Sequence, residues 1–272
     1  MRNLSILLAL MWIALSQYSF AQKSPHKPNI VYILADDLGY GELGVYGQQK
    51  IETPNIDALA KNGMMFTQHY AFPVCAPSRY LLLTGKNSGH AFIRDNNEWR
   101  ERGDVWSLVA MEANPFLEGQ LPIPDSTITI AKMLKKAGYT NGIIGKWGLG
   151  APMTAGVPNN QGFDYFYGFN CQRQDHTYYP GHLWENTFRI PLSNKIIEPN
   201  VKFPSDLDSL DEKNYAVYQQ EDYAPDFLIK SALSFIQKNK DNPFFLFYTT
   251  PLPHVSLQAP QKWIDYYHKK FG

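Results

Sequence analysis

Apolar residues cluster along this chain in short runs separated by polar punctuation. Ile30 to Ala35 reads Ile-Val-Tyr-Ile-Leu-Ala, without a polar interruption, and stops at Asp36-Asp37. An unbroken run rich in β-branched residues predicts a strand buried on both faces of a parallel sheet. Thr53-Pro54 then supplies an N-cap and a first helical residue. Ile56, Leu59 and Ala60 follow on one face, Gly63 is the stop, and Met64 to Thr67 predicts a returning strand. The pattern repeats from Thr127 to Ala137, where Ile130, Met133, Leu134 and Ala137 share a face before Gly138, and Tyr139 to Ile144 leads into a strand. Asp226 to Lys238 carries Leu228, Ala232 and Phe235 at helical spacing, and Phe244 to Tyr248 is a second wholly apolar strand.

Strands alternating with helices imply an α/β fold, a mainly parallel central sheet sandwiched by helices. Ligands of such sheets sit beyond the carboxyl ends of the strands. Asp36-Asp37, Lys146 and His254 each follow an apolar strand, and the Cys75 segment precedes the apolar stretch Tyr80–Leu83. Four separate segments are therefore expected to converge on one sheet edge. Lys86–Ser126 and Gly150–Ala224 lack periodicity and are rich in Gly, Asn, Pro and aromatics, which reads as long functional loops.

Composition changes this picture in three ways. Met1-Arg2 gives a positive start, Leu4 to Leu15 is apolar apart from Ser5, and Ser19-Phe20-Ala21 offers a small-residue cleavage site. The apolar core is shorter than the roughly 20 residues that span a bilayer. Residues 1–21 are thus expected to be a cleaved signal peptide. Gln22, not Cys, follows the cut, so no lipid anchor and no stable membrane anchor is expected. Residues 22–272 are expected to form a catalytic domain in the periplasm or outside the cell. Lys plus Arg and Asp plus Glu number 25 each, which argues against a surface that wraps nucleic acid. The only cysteines are Cys75 and Cys171. In an exported chain they suggest one disulfide, unless the surroundings of Cys75 give it another use.

Those surroundings carry chemistry. Cys75-Ala76-Pro77-Ser78-Arg79 has the form Cys-x-Pro-x-Arg and runs on to Leu83-Thr84-Gly85. A helix opening at Pro77 would aim free backbone N–H groups at an oxyanion, with Arg79 in its first turn. Asp36 and Asp37 repel each other unless a cation lies between them, and carboxylates match a hard ion, Ca2+ or Mg2+, rather than zinc. Lys146, in Gly145-Lys146-Trp147-Gly148-Leu149-Gly150, sits between glycines where an ammonium can approach an anion.

From about Pro28 onward these segments together resemble sulfatases of the arylsulfatase type, members of the alkaline-phosphatase-like superfamily. The resemblance implies that Cys75 is oxidised to formylglycine by a formylglycine-generating or sulfatase-maturing enzyme. It implies that Asp36 and Asp37, with the residue made from Cys75, hold Ca2+ (Mg2+ as the alternative). Arg79 would fix the modified side chain, Lys146 would bridge it to the sulfate, and His254 would touch sulfate oxygens and protonate the leaving oxygen. His90 and Arg94 lie in a Gly-His-x-x-Ile-Arg stretch, and His176 in Asp175-His176-Thr177-Tyr178-Tyr179-Pro180; both stretches have similar counterparts and are expected to reach the organic part of the substrate. That substrate would be a sulfated carbohydrate or an aryl sulfate. Gly148 departs from the pattern, since a histidine that hydrogen-bonds the formylglycine hydrate is common there. Relatives continue with further metal ligands, so the chain is expected to be an N-terminal part of the catalytic domain. A phosphate or phosphonate ester hydrolase of the same fold is the nearest alternative, and a non-catalytic sulfated-glycan-binding remnant the other.

Overall fold

The computed structural model describes residues 27–271 apart from 200, 201, 210, 255 and 257, so the expected signal peptide at 1–21 lies outside the described residues. Six strands form one sheet: β1 (Ile30–Ala35), β2 (Thr140–Lys146), β3 (Tyr165–Phe169), β4 (His182–Glu185), β5 (Phe188–Pro191) and β6 (Phe244–Thr250). Their order is β1-β6-β2-β3-β4-β5. The first four in that order are parallel, and β4 and β5 add an antiparallel end. Around the sheet lie α1 (Pro54–Asn62), α2 (Cys75–Thr84), α3 (Leu108–Ala113), α4 (Ile130–Lys136), α5 (Ala224–Asn239) and α6 (Gln261–Phe271). The expected α/β sandwich with a mostly parallel sheet is what the chain forms.

β6 explains why a continuous apolar run makes a central strand. Phe245 and Phe247 enter a core with Tyr80, Leu83, Ile143, Trp147 and Phe163, while Phe244, Leu246 and Tyr248 enter a second core with Leu228, Ala232 and Phe235 of α5. Both faces are covered, and each fully buried side chain of this size contributes about 1.5–3 kcal/mol. β2 can lie against β6 because position 145 is glycine. Its φ is +117°, and a Cβ there would come within 1.9 Å of the Thr249 carbonyl oxygen.

Four local expectations need correction. β1 is parallel but among the described residues pairs only with β6, and Val31, Tyr32 and Ile33 are exposed, so an apolar run alone did not reveal an edge position. Met64–Thr67 is not a strand, because it finds no partner in the sheet. The helix of the Cys75 segment begins at Cys75 and not at Pro77, with Val74 as its N-cap. The aperiodic stretches are not loops throughout: they contain α3 and β3 to β5.

The arrangement places the site. β1, β6 and β2 are adjacent and parallel, so Asp36, the segment after Thr250, and Lys146 all emerge at the same sheet edge. α2 packs on one core through Ala76, Tyr80 and Leu83, which brings Cys75 to that edge.

Candidate active site

Asp36 is the first residue after β1, and its backbone N–H donates to the Leu252 carbonyl at 3.1 Å, which ties it to the loop that carries His254. Asp37 has φ +59°, a left-handed conformation that aspartate tolerates better than most side chains. A cavity of about 260 Å³ opens between them, with Cys75, Arg79, Lys146 and Thr250 in its wall. The ligating atoms of Asp36, Cys75 and His254 lie within 4.8 Å of one another. His254 Nε2 is also 3.5 Å from Asp37 Oδ2.

Lys146 ends β2 with only 1% of its surface exposed, and its Nζ lies 2.5 Å from Asp36 Oδ2 and 2.9 Å from Asp175 Oδ2. Burial disfavours its charge, but the Asp175 and Asp36 carboxylates outweigh burial and nearby Arg79, and hold Lys146 as an ammonium above its ordinary pKa. Burial likewise pushes the Asp36 carboxyl up, yet Lys146, with Arg79 and His254, brings it below the usual carboxylate range. Arg79 is buried. Its Nε donates to the Trp147 carbonyl at 2.6 Å and its Nη2 to Gln172 Oε1 at 2.7 Å, which fixes the guanidinium plane under the cavity.

Cys75 is half-buried and unbonded, and Cys171 is a second free thiol, so the disulfide reading does not hold. A hydrogen bond with His254 is the main reason the Cys75 thiol titrates below its ordinary value. Lys146 and Arg79 act the same way, against burial and the Asp36 charge. The same hydrogen bond raises the His254 pKa. Burial, with its first acidic neighbour Glu98, instead drives the Cys171 thiol up to about 12. At the mouth of α2 the Ala76 N–H donates to Asn96 Oδ1 at 2.9 Å, so one of the helix's free amides is already engaged.

His176 stacks on His254 with ring centroids 4.4 Å apart and planes 8° from parallel. Burial, followed by Lys146 and His254, lowers the His176 pKa to about 3, so a neutral ring lies against the more basic one. The Tyr178 hydroxyl donates to the His254 carbonyl and holds that loop in place. Arg94 and His90 are exposed and do not line the cavity, and Arg94 donates to the Ala91 and Gly89 carbonyls at 3.0 and 3.1 Å. Gly148 has φ +73°, and a Cβ there would stand 2.8 Å from Arg79 Nη2 and 2.9 Å from the Gln172 side chain. Gln172 thus occupies the space over the glycine. Asp175, Gln172 and Asn96 carried no assigned role in the sequence reading. All come from aperiodic stretches, where only the adjacency of Asp175 to His176 hinted at a site.

The donor chemistry fits a hard cation in part. Asp36 and Asp37 offer carboxylate oxygens beside the cavity, and an ammonium already seats itself on Asp36. Ca2+ takes about 6–8 oxygens, so these two carboxylates form a portion of its shell.

The mostly parallel sheet flanked by helices is that of the alkaline-phosphatase-like fold, and acid, thiol, lysine and histidine side chains gather beyond its carboxyl edge. The crystal structure of Ps i-CgsB shares that architecture at 27% identity and a TM-score of 0.65, covering 91% of this chain and 50% of the other. The Sulfatase family profile matches residues 28–272, and the chain belongs to the sulfatase family. It is 34% identical to the N-acetylgalactosamine-6-sulfatase of Rattus norvegicus over 90% of this chain and 43% of that protein. It is 31% identical to arylsulfatase H of Canis lupus familiaris over 90% and 50%. The chain therefore spans about half the length of the curated relatives it matches. Members of this family generally use formylglycine and a metal ion.

Proposed function

We propose that this chain carries the nucleophile-bearing part of a sulfuric ester hydrolase, acting on a sulfated glycan or aryl sulfate through formylglycine made from Cys75 and a bound Ca2+ ion. The observation that carries the reading is the meeting of Cys75, Asp36, Arg79 and Lys146 at one small cavity, with His254 beside Asp36 and Cys75, from segments far apart in sequence. Family membership supports the ester class. A glycan is favoured by the name of the rat relative and by a complex of Ps i-CgsB with k-i-k-neocarrahexaose, at 27% identity and a TM-score of 0.64.

A sulfate monoester is anionic, and both the attacked sulfuryl group and the departing oxygen need positive or donor groups. When formed, a hydrated formylglycine at position 75 supplies an oxygen nucleophile and a second hydroxyl for release of sulfate, and a bound Ca2+ supplies charge compensation. Arg79 presents a guanidinium held rigid by Trp147 and Gln172. Lys146 remains an ammonium in a nearly dry site, where a fixed charge stabilises a transition state more than it would in water. His254, beside Asp36 and position 75, would hand a proton to the leaving oxygen. One well-placed donor of this kind contributes about 2.7–4 kcal/mol in a known acyl-transfer case.

The test joins mass spectrometry of the Cys75 peptide, from cells that contain a formylglycine-generating enzyme, with hydrolysis of paired aryl sulfate and aryl phosphate esters. Conversion of Cys75 and preference for the sulfate are expected, with turnover abolished in C75A. An intact thiol, or a preference for phosphate, would contradict the reading.

The signal peptide belongs to the same proposal. Export at residues 1–21 would place the enzyme outside the cytoplasm, with the maturing enzyme as its partner before folding.

A further inference from the structure

Lys146 has two carboxylate neighbours in unlike surroundings. Asp36 is 12% exposed at its side chain and lines the cavity, whereas Asp175 has no exposed side-chain surface and is not part of the cavity wall. Asp175 Oδ2 lies 2.9 Å from the ammonium as a buried ion pair. Its Oδ1 lies 3.6 Å from His176 Nε2, on the ring that stacks against His254.

We propose that Asp175 is a positioning residue: it is a second, buried anchor for the Lys146 ammonium, and it releases Asp36 to give its oxygen to a divalent cation. The inference rests on the reading of Asp36 as a cation ligand. Lys146 sits 2.5 Å from Oδ2 of the carboxylate that a cation would also need, so the two positive charges compete for one group. Were Asp36 the only partner, a cation could bind only by leaving unpaired an ammonium that is 1% exposed. Stripping one partner from a buried ion pair is strongly unfavourable. With Asp175 in place the ammonium keeps a counter-charge whichever way Asp36 turns. The position of Asp175 in the short turn Gln174–His176 also links the lysine to the histidine pair, so one carboxylate sets the spacing of both.

The test is Ca2+ titration of the full chain by calorimetry, in wild type, D175N and D175N/K146M. D175N is expected to weaken Ca2+ binding by about 10–100-fold, the range seen when outer partners of metal ligands are removed. D175N/K146M is expected to bind at least as tightly as wild type, because no ammonium then competes for Asp36. A merely structural role for Asp175 would not produce that rescue. Should D175N fold poorly, D175S in its place, leaving room for a water, reads the same comparison. Wild-type affinity in D175N, or no recovery in the double variant, would overturn the inference while leaving Asp36 a cation ligand. Absence of Ca2+ binding in wild type would overturn both.

Discussion

A histidine at position 148 would have to displace the Arg79–Gln172 pair. The backbone there has φ +73°, where an L side chain costs about 1–2 kcal/mol, and its Cβ would start 2.8 Å from Arg79 Nη2. We therefore expect Gly148→His to lower stability by about 2 kcal/mol or more, seen as a melting temperature roughly 4–8 °C lower, and to slow turnover rather than quicken it. Adding Gln172→Gly should recover part of the stability by reopening the space. A single variant that melts like wild type and turns over faster would show that a histidine fits after all. The departure from the family pattern at 148 was legible in the sequence, but its partner was not. Asp36, Cys75, Lys146 and His254 each stand at the end of an apolar run or in a short motif, so local sequence announces them. Gln172 and Asp175 lie in a stretch without periodicity, and only tertiary packing brings them to Arg79 and Lys146.

At the scale of elements, the antiparallel end of the sheet is secured by a buried polar network that no periodicity predicts. Glu118 is fully buried and accepts from Trp184 Nε1 at 2.6 Å and from Arg189 Nη2 at 2.8 Å, and His182 Nε2 lies 2.9 Å away. His182 Nδ1 also lies 3.4 Å from Glu112, so the imidazole joins β4 to α3. Burial alone would lower the His182 pKa, but the two glutamates overcome it and raise it to about 9. The ordinary value is about 6.5, so this contribution to stability is fully present below pH 6.5 and is lost as pH rises through about 9. A shift of that size corresponds to roughly 3 kcal/mol at 1.36 kcal/mol per unit. Urea midpoints measured from pH 6 to pH 10 should fall across that window, and His182→Gln should flatten the fall. An unchanged slope in the variant would assign the loss to other groups. β3 to β5 escaped the sequence reading for a related reason: they are four or five residues long, too short for alternation to declare itself. β6, seven residues of mostly Phe, Leu and Tyr, declared both its type and its burial.

The molecule as a whole is apolar on one flank. β1 is an end strand of the sheet, and Ile33 is 60% exposed there, with Leu59 of α1 at 68%, Met64 at 78% and Phe66 at 59%. Tyr32, Leu59, Met64 and Phe66 share the wall of one open depression, so these are contiguous rather than scattered side chains. Single exposed apolar residues are ordinary, but a contiguous patch beside a strand edge that pairs with no other strand among the described residues favours association in water. Charge gives little opposition, because acidic and basic residues balance at 25 each and long-range repulsion between copies is weak at neutral pH. Residues 22–272 are therefore expected to bind a fluorescent apolar dye in the folded state and to grow heavier with concentration in sedimentation velocity. Met64→Lys with Leu59→Lys should reduce both effects together, since each places an ammonium where the patch would have to be desolvated. The other end of the sheet serves as the control: Phe188 on β5 is 72% exposed but does not line this depression, and Phe188→Lys should leave association unchanged. If sedimentation shows a monomer at all concentrations, the exposed flank does not drive self-association.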